Sequence, residues 1–146
     1  MKIQTKFQGE LEVAEHQIFM FEKPLLGFEE ARRFAIFPAF EEETSPFLMM
    51  QSMEKVDLAF YLVSPWIVEA DYEFNLTPEQ VELLGVTKPE EVNVMALVTL
   101  NSEVENMTAN LLAPLVVNVT NQRAMQIVLQ QTPYTTKHRI LKSETA

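Results

Sequence analysis

Trp66, Glu69, Asp71, Tyr72 and Glu73 are the residues of this chain whose types and spacing come closest to a working surface. From Pro65 to Phe74, the residues Trp66, Val68, Ala70, Tyr72 and Phe74 alternate with Ile67, Glu69, Asp71 and Glu73. That is the period of a strand, and it gives the three carboxylates a common direction. A row of carboxylates on one strand face is more often solvated than metal-bound. Beside two aromatic rings it reads as a charged rim with aromatic anchors, an arrangement suited to a protein partner. A second acidic cluster, Glu41-Glu42-Glu43, sits in a segment ended by Ser45-Pro46 and followed by Phe47. Three adjacent carboxylates repel one another and want water, so this segment is expected to be a loop tip.

Other chemistries find little to work with. There is no cysteine, and His16 and His138 are the only histidines, so thiolate and histidine-rich metal sites are unavailable. Three scattered glycines cannot build a phosphate loop, a nucleophile elbow or a dinucleotide fingerprint, and no cofactor is indicated. Nothing singles out an acid–base pair among 21 carboxylates. A binding protein is therefore expected rather than an enzyme. The net charge is −10, and residues 1–105 hold 20 acidic and 7 basic side chains. Residues 106–146 carry only Glu144 against Arg123, Lys137, Arg139 and Lys142. An acidic body argues against direct binding to nucleic acid or anionic membrane and favours a basic partner. The start lacks the apolar core of a signal peptide, and no apolar run approaches the roughly 18 residues of a membrane span. A cytoplasmic protein is expected.

The elements that must position these residues are mostly strands. Ile3 to Val13 alternates about Gly9 and predicts a hairpin turning near Gln8-Gly9. Ile18–Phe21 and Arg33–Phe37 read as strands, the second stopped by Pro38. Phe47–Ser52 and Leu58–Ser64 predict a second hairpin, with Met49 and Met50 facing opposite sides, one in the core and the other a candidate for exposure. Pro78–Leu84 is the one helix: Thr77 caps it, Pro78 opens it, Gln80 completes a capping box and Gly85 stops it. Lys88-Pro89-Glu90-Glu91 suits a further single turn. Val92–Leu100 is a near-continuous apolar run, the candidate central strand. It starts an antiparallel meander continued by Met107–Val119 and Ala124–Gln130. In Met107–Val119, Pro114 cannot donate to a ladder and so predicts a bend, with Asn110 and Asn118 satisfying backbone around it. The tail from Thr132 is expected to lie across the body or remain partly free. Together these elements predict a mostly β, small single-domain antiparallel barrel-like fold over residues 1–146, with one short helix.

Several segments carry a more specific signal. Met1–Glu10, Gly27-Phe28-Glu29, Ser45-Pro46-Phe47 with Leu48–Ser52, Asp57-Leu58-Ala59-Phe60 and Asp71-Tyr72 occur in that order. Asn110-Leu111-Leu112-Ala113-Pro114-Leu115-Val116-Val117-Asn118 and Tyr134-Thr135-Thr136-Lys137-His138-Arg139 complete the set. In these the chain resembles the FliW family of bacterial flagellar assembly factors along nearly its whole length. It departs from the family at Lys23–Leu26, where a glycine and a proline often precede the Gly-Phe pair.

The resemblance implies a non-enzymatic barrel-like protein that binds flagellin and the RNA-binding regulator CsrA. By antagonising CsrA it would relieve repression of flagellin translation. On that reading Trp66, Glu69, Asp71, Tyr72 and Glu73 are the candidate CsrA surface, with Glu41, Glu42, Glu43 and Phe47 second. Leu25, Leu26 and Phe28 are candidate exposed contacts for flagellin. A small-molecule-binding β-barrel is the alternative and requires an internal cavity. A carboxylate enzyme is third and would need two carboxylates facing across a cleft.

Overall fold

The computed structural model describes residues 1–23, 25, 27–28, 30–40, 45–99, 106–130 and 132–140. Its centre is a closed barrel of seven strands: β3 (Ile18–Phe21), β4 (Arg33–Pro38), β5 (Leu48–Ser52), β6 (Ala59–Val63), β7 (Val92–Thr99), β9 (Leu115–Asn118) and β10 (Arg123–Gln126). Neighbours from β3 to β7 pair antiparallel in sequence order. β7 then pairs with β9 and β9 with β10, also antiparallel. The circle closes through one parallel pairing, β10 with β3. Two short strands extend this sheet: β8 (Thr108–Ala109) on β7 and β11 (His138–Arg139) on β8.

The barrel interior is filled by side chains. Phe21, Phe34, Met50, Leu62 and Leu115 are fully buried there, with the Phe21 and Phe34 rings edge to face at 5.3 Å. Alternation sends the next residues outward, yet many of those are buried too. Ala35, Phe37 and Met49 lie under the hairpin of β1 (Lys2–Thr5) and β2 (Gly9–Glu12). Both adjacent methionines are therefore core, and neither is exposed. Gly9 turns this hairpin at φ +64°. Gln51, buried among apolar side chains, accepts from Lys6 N–H (2.9 Å) and donates to Val56 C=O (3.0 Å), tying the hairpin to β5.

A second cover lies over β7, β9 and β10. It comprises α1 (Pro65–Val68), α2 (Pro78–Leu84), the connections between and after them, and the tail. α2 is capped as its sequence dictates: Thr77 Oγ1 accepts from Gln80 N–H (3.2 Å), and Gln80 Oε1 accepts from Thr77 N–H (2.9 Å). Gly85 ends it in the left-handed region, where a Cβ would meet Asn121 Nδ2 at 2.7 Å. Pro89–Glu91 forms the expected single turn. Glu91, buried, accepts from the hydroxyl and the N–H of Thr87, both at 2.7 Å, and so fixes the entry into β7.

The segment expected to be a strand, Pro65–Phe74, is not one. Pro65 begins a helical turn closed by Glu69 N–H donating to Pro65 C=O (2.9 Å), and Tyr72 N–H then donates to Glu69 C=O (3.1 Å). The reason is Pro65: β6 pairs with β7 only as far as Val63 with Ala96, and a proline two residues later has no N–H to donate to the ladder, so the strand ends and a turn begins. The overlooked signal is Ser64-Pro65, the same cap-and-proline start that marks α2.

Met107–Val119 runs antiparallel along β7 but not continuously. Val98 faces Ala109 and Met95 faces Leu115, so the two residues between on β7 oppose five, Asn110 to Pro114. This is the bend that Pro114 required. Asn110 Oδ1 accepts from Ala113 N–H (2.9 Å) to close the excursion. Asn118 donates to Leu84 C=O (3.0 Å) and accepts from Thr120 N–H (2.9 Å), joining the end of α2 to the turn after β9.

Candidate partner-binding surface

The excursion at Asn110–Pro114 is what organises the candidate surface. Its outward backbone groups are satisfied from three directions. Tyr72 OH donates to Leu111 C=O (2.7 Å), Leu111 and Leu112 N–H donate to Thr135 C=O (both 3.1 Å), and Leu129 N–H donates to Leu112 C=O (2.8 Å). Tyr72 is the hub. Burial, with the neighbouring Tyr134 adding to it, holds its phenol above the ordinary value, so it acts as a neutral donor. Its ring lies 6.0 Å from Trp66, 5.7 Å from Phe74 and 4.5 Å from Tyr134. Trp66 Nε1 donates to Tyr72 C=O (2.9 Å), and Tyr134 OH accepts from Glu73 N–H (3.1 Å). The tail thus crosses the body and locks the 65–74 segment onto the barrel.

Within that frame the expected residues separate by role. Trp66 is 44 % exposed and Ile67 beside it is exposed as well. Asp71 and Glu73 are exposed, and Glu69 is half-buried. Tyr72 is buried, so it is not a contact residue: it holds the surface from beneath. The carboxylates also lose their common strand direction, since the chain turns at Glu69–Tyr72. Among the described residues no group of three or more His, Asp or Glu side chains is placed to hold a metal. Asp71 and Glu73 instead line an open groove of about 710 Å³ together with Val128, Gln130 and Tyr134. Sequence reasoning missed Tyr134 and Val128; the family-like Tyr134–Arg139 stretch was the available signal for the first.

The other expected contacts fare unevenly. Glu41, Glu42, Glu43 and Leu26 lie outside the described residues. Phe47 is half-buried, edge to face with Phe40 at 6.3 Å. Leu25, expected to be exposed, is 2 % exposed and belongs to the barrel core, because the turn it shares with Phe28 folds it inward. Phe28 is 38 % exposed and packs against Phe60 at 5.4 Å. A hollow of about 270 Å³ at the barrel end where β3 and β5 begin is lined by Phe19, Ile36, Met95 and Val117. It is below the range of about 300–1,000 Å³ typical of small-molecule sites, and the interior behind it is filled.

A family model described as FliW protein matches residues 2–140. The chain belongs to the FliW family. The flagellar assembly factor FliW of Bacillus subtilis (strain 168) is 44 % identical over 140 residues, covering 96 % of each chain. That of Clostridium botulinum (strain 657 / Type Ba4) is 36 % identical over 144 residues, covering 99 % of each. A crystal structure of the flagellar assembly factor FliW superposes with a TM-score of 0.89 at 33 % identity, over 99 % of both chains. The FliW fold is therefore the closed barrel described above, and its two covers are part of it. Among the described residues, no helix is long and apolar enough to cross a membrane.

Proposed function

We propose that this flagellar assembly factor is a non-enzymatic cytoplasmic switch between two partners, flagellin and the translational regulator CsrA. When flagellin accumulates it occupies the protein, leaving CsrA free to repress flagellin translation. When flagellin is exported, the vacated protein captures CsrA and translation resumes. The observation that carries this reading is membership of the FliW family from residue 2 to 140, with a flagellar assembly factor matching 96 % of the chain. The acidic body supports a basic, RNA-binding partner in place of RNA itself.

CsrA is assigned to the second cover, with Trp66 as an apolar anchor and Glu69, Asp71 and Glu73 as its charged rim. The Glu41–Glu43 segment with Phe47 is the next surface to test. Flagellin is assigned to Phe28 and the shallow hollow beside it, which Gly27, Glu30 and Lys55 also line. The test is a pull-down with this protein from a flagellated host, followed by reconstitution with purified partners. Flagellin and CsrA should emerge in separate complexes, and flagellin should release bound CsrA. A stable complex containing both, or capture of neither, would overturn the switch.

A further inference from the structure

β10 keeps its register past its last ladder residue. Ile127 N–H donates to Pro114 C=O (3.0 Å), and Leu129 N–H donates to Leu112 C=O (2.8 Å). In an antiparallel pair, successive residues point their backbone groups to opposite sides. The N–H and C=O of Val128 therefore face away from the excursion, towards the side where β3 pairs only with Arg123 and Ala124. Among the described residues no hydrogen bond reaches either group, and Val128 is 50 % exposed. An open strand edge is a template for another extended chain, and proteins ordinarily blunt such edges with charge, proline or a covering element. This edge instead borders the groove that Asp71 and Glu73 also line, and among the described residues no lysine or arginine lines it.

We infer that the Val128 edge takes an extended basic segment of a partner protein by strand addition. The segment's backbone completes the hydrogen bonds of Val128, and lysine or arginine side chains at alternate positions meet Asp71 and Glu73. Charge complementarity sets the occupant: an acidic extended segment would bring like charges into the groove, and a helix could not offer backbone groups to the edge. The inference rests on the second cover being a partner surface, and it adds how the partner is held.

The test uses the full chain and a synthetic probe, a short blocked peptide of alternating lysine and valine. Amide spectra of the labelled protein should show the Val128 N–H shifting and its exchange slowing on titration. The same peptide N-methylated at the amides that face the edge should bind about tenfold more weakly, as expected for one or two lost backbone hydrogen bonds. Val128→Pro removes an N–H that has no partner in the native fold, at an edge position where proline is tolerated. It should keep the thermal midpoint and lose the peptide-induced shifts. Equal binding of the N-methylated peptide, or shifts confined to Asp71 and Glu73 without protection at Val128, would overturn strand addition. If Val128→Pro does not fold, the two peptides decide alone. Failure here, with CsrA binding still weakened by charge reversal at Glu69 and Asp71, would remove the mode of contact and leave the partner surface standing.

Discussion

The barrel carries two covers of opposite character. Over β4 and β5 lies a regular hairpin, whose strands pair from Lys2 with Glu12 to Thr5 with Gly9. Over β7, β9 and β10 lies an irregular layer of short turns, one capped helix and the tail, held by Tyr72 and Tyr134. The hairpin pairs its two strands with each other, is tied to β5 where Gln51 accepts from Lys6 N–H, and buries Ala35, Phe37 and Met49. The irregular cover cannot satisfy itself. It draws hydrogen bonds from the Asn110–Pro114 excursion and leaves Trp66, Asp71, Glu73 and the Val128 edge facing outward.

The comparison is most severely tested by taking out the hub. Tyr72→Ala should cost about 3–5 kcal/mol, the usual range for deleting a buried ring, and should loosen the 65–74 segment and the tail together. Urea denaturation, read with amide exchange at Leu111 and Leu112, would check it. Loss of stability without loss of tail protection would mean that the cover is held elsewhere. Tyr72→Phe should cost about 1–3 kcal/mol, because Leu111 C=O is left without its buried donor. In the hairpin cover Gln51→Ala should cost a similar amount by leaving Lys6 N–H unpaired, while leaving the tail's exchange protection unchanged.

Acid should act on the irregular cover through Glu91. Hydrogen bonds from the Thr87 side chain and backbone, outweighing burial, hold its carboxyl at about 2. A carboxyl depressed in the folded state contributes its full stability above its unfolded value, and that contribution fades as pH falls towards the folded one. Unfolding midpoints should therefore drop between about pH 4.5 and 2, and Glu91→Gln should flatten that part of the profile. An unchanged profile would show that other carboxylates set the acid limit. Trp66→Ala should have the smallest effect on stability, about 1 kcal/mol or less, since the ring is partly solvated and donates one hydrogen bond. Its larger consequence should be on partner binding.

What could be read from residue order follows the same division. The hairpin, the barrel strands, the capped helix and the bend at Pro114 are local statements: alternation, caps and a missing N–H each act over a few residues. The adjacent methionines needed more, because only the hairpin's position shows that both faces of β5 are covered. Pro65–Phe74 defeated alternation because Pro65 stops the β6–β7 ladder after Val63 and starts a helical turn, a local signal that the apolar–polar alternation masked. Tyr72 was expected among the surface contacts and is buried instead. Its hydrogen bond reaches across 39 positions to Leu111, which no local pattern can foretell. Leu25 was expected outside for the same reason, since its turn buries it against strands distant in sequence.

On the proposed function the irregular cover, and not the hairpin, is the working surface. This can be tested by measuring CsrA affinity across ionic strength for two charge-reversed variants of equal charge change. One is Glu69→Lys with Asp71→Lys, and the other is Glu10→Lys with Glu12→Lys on the hairpin. The first should bind several-fold more weakly and lose salt dependence, and the second should bind like the parent. Equal weakening by both, or weakening by the hairpin variant alone, would contradict the assignment.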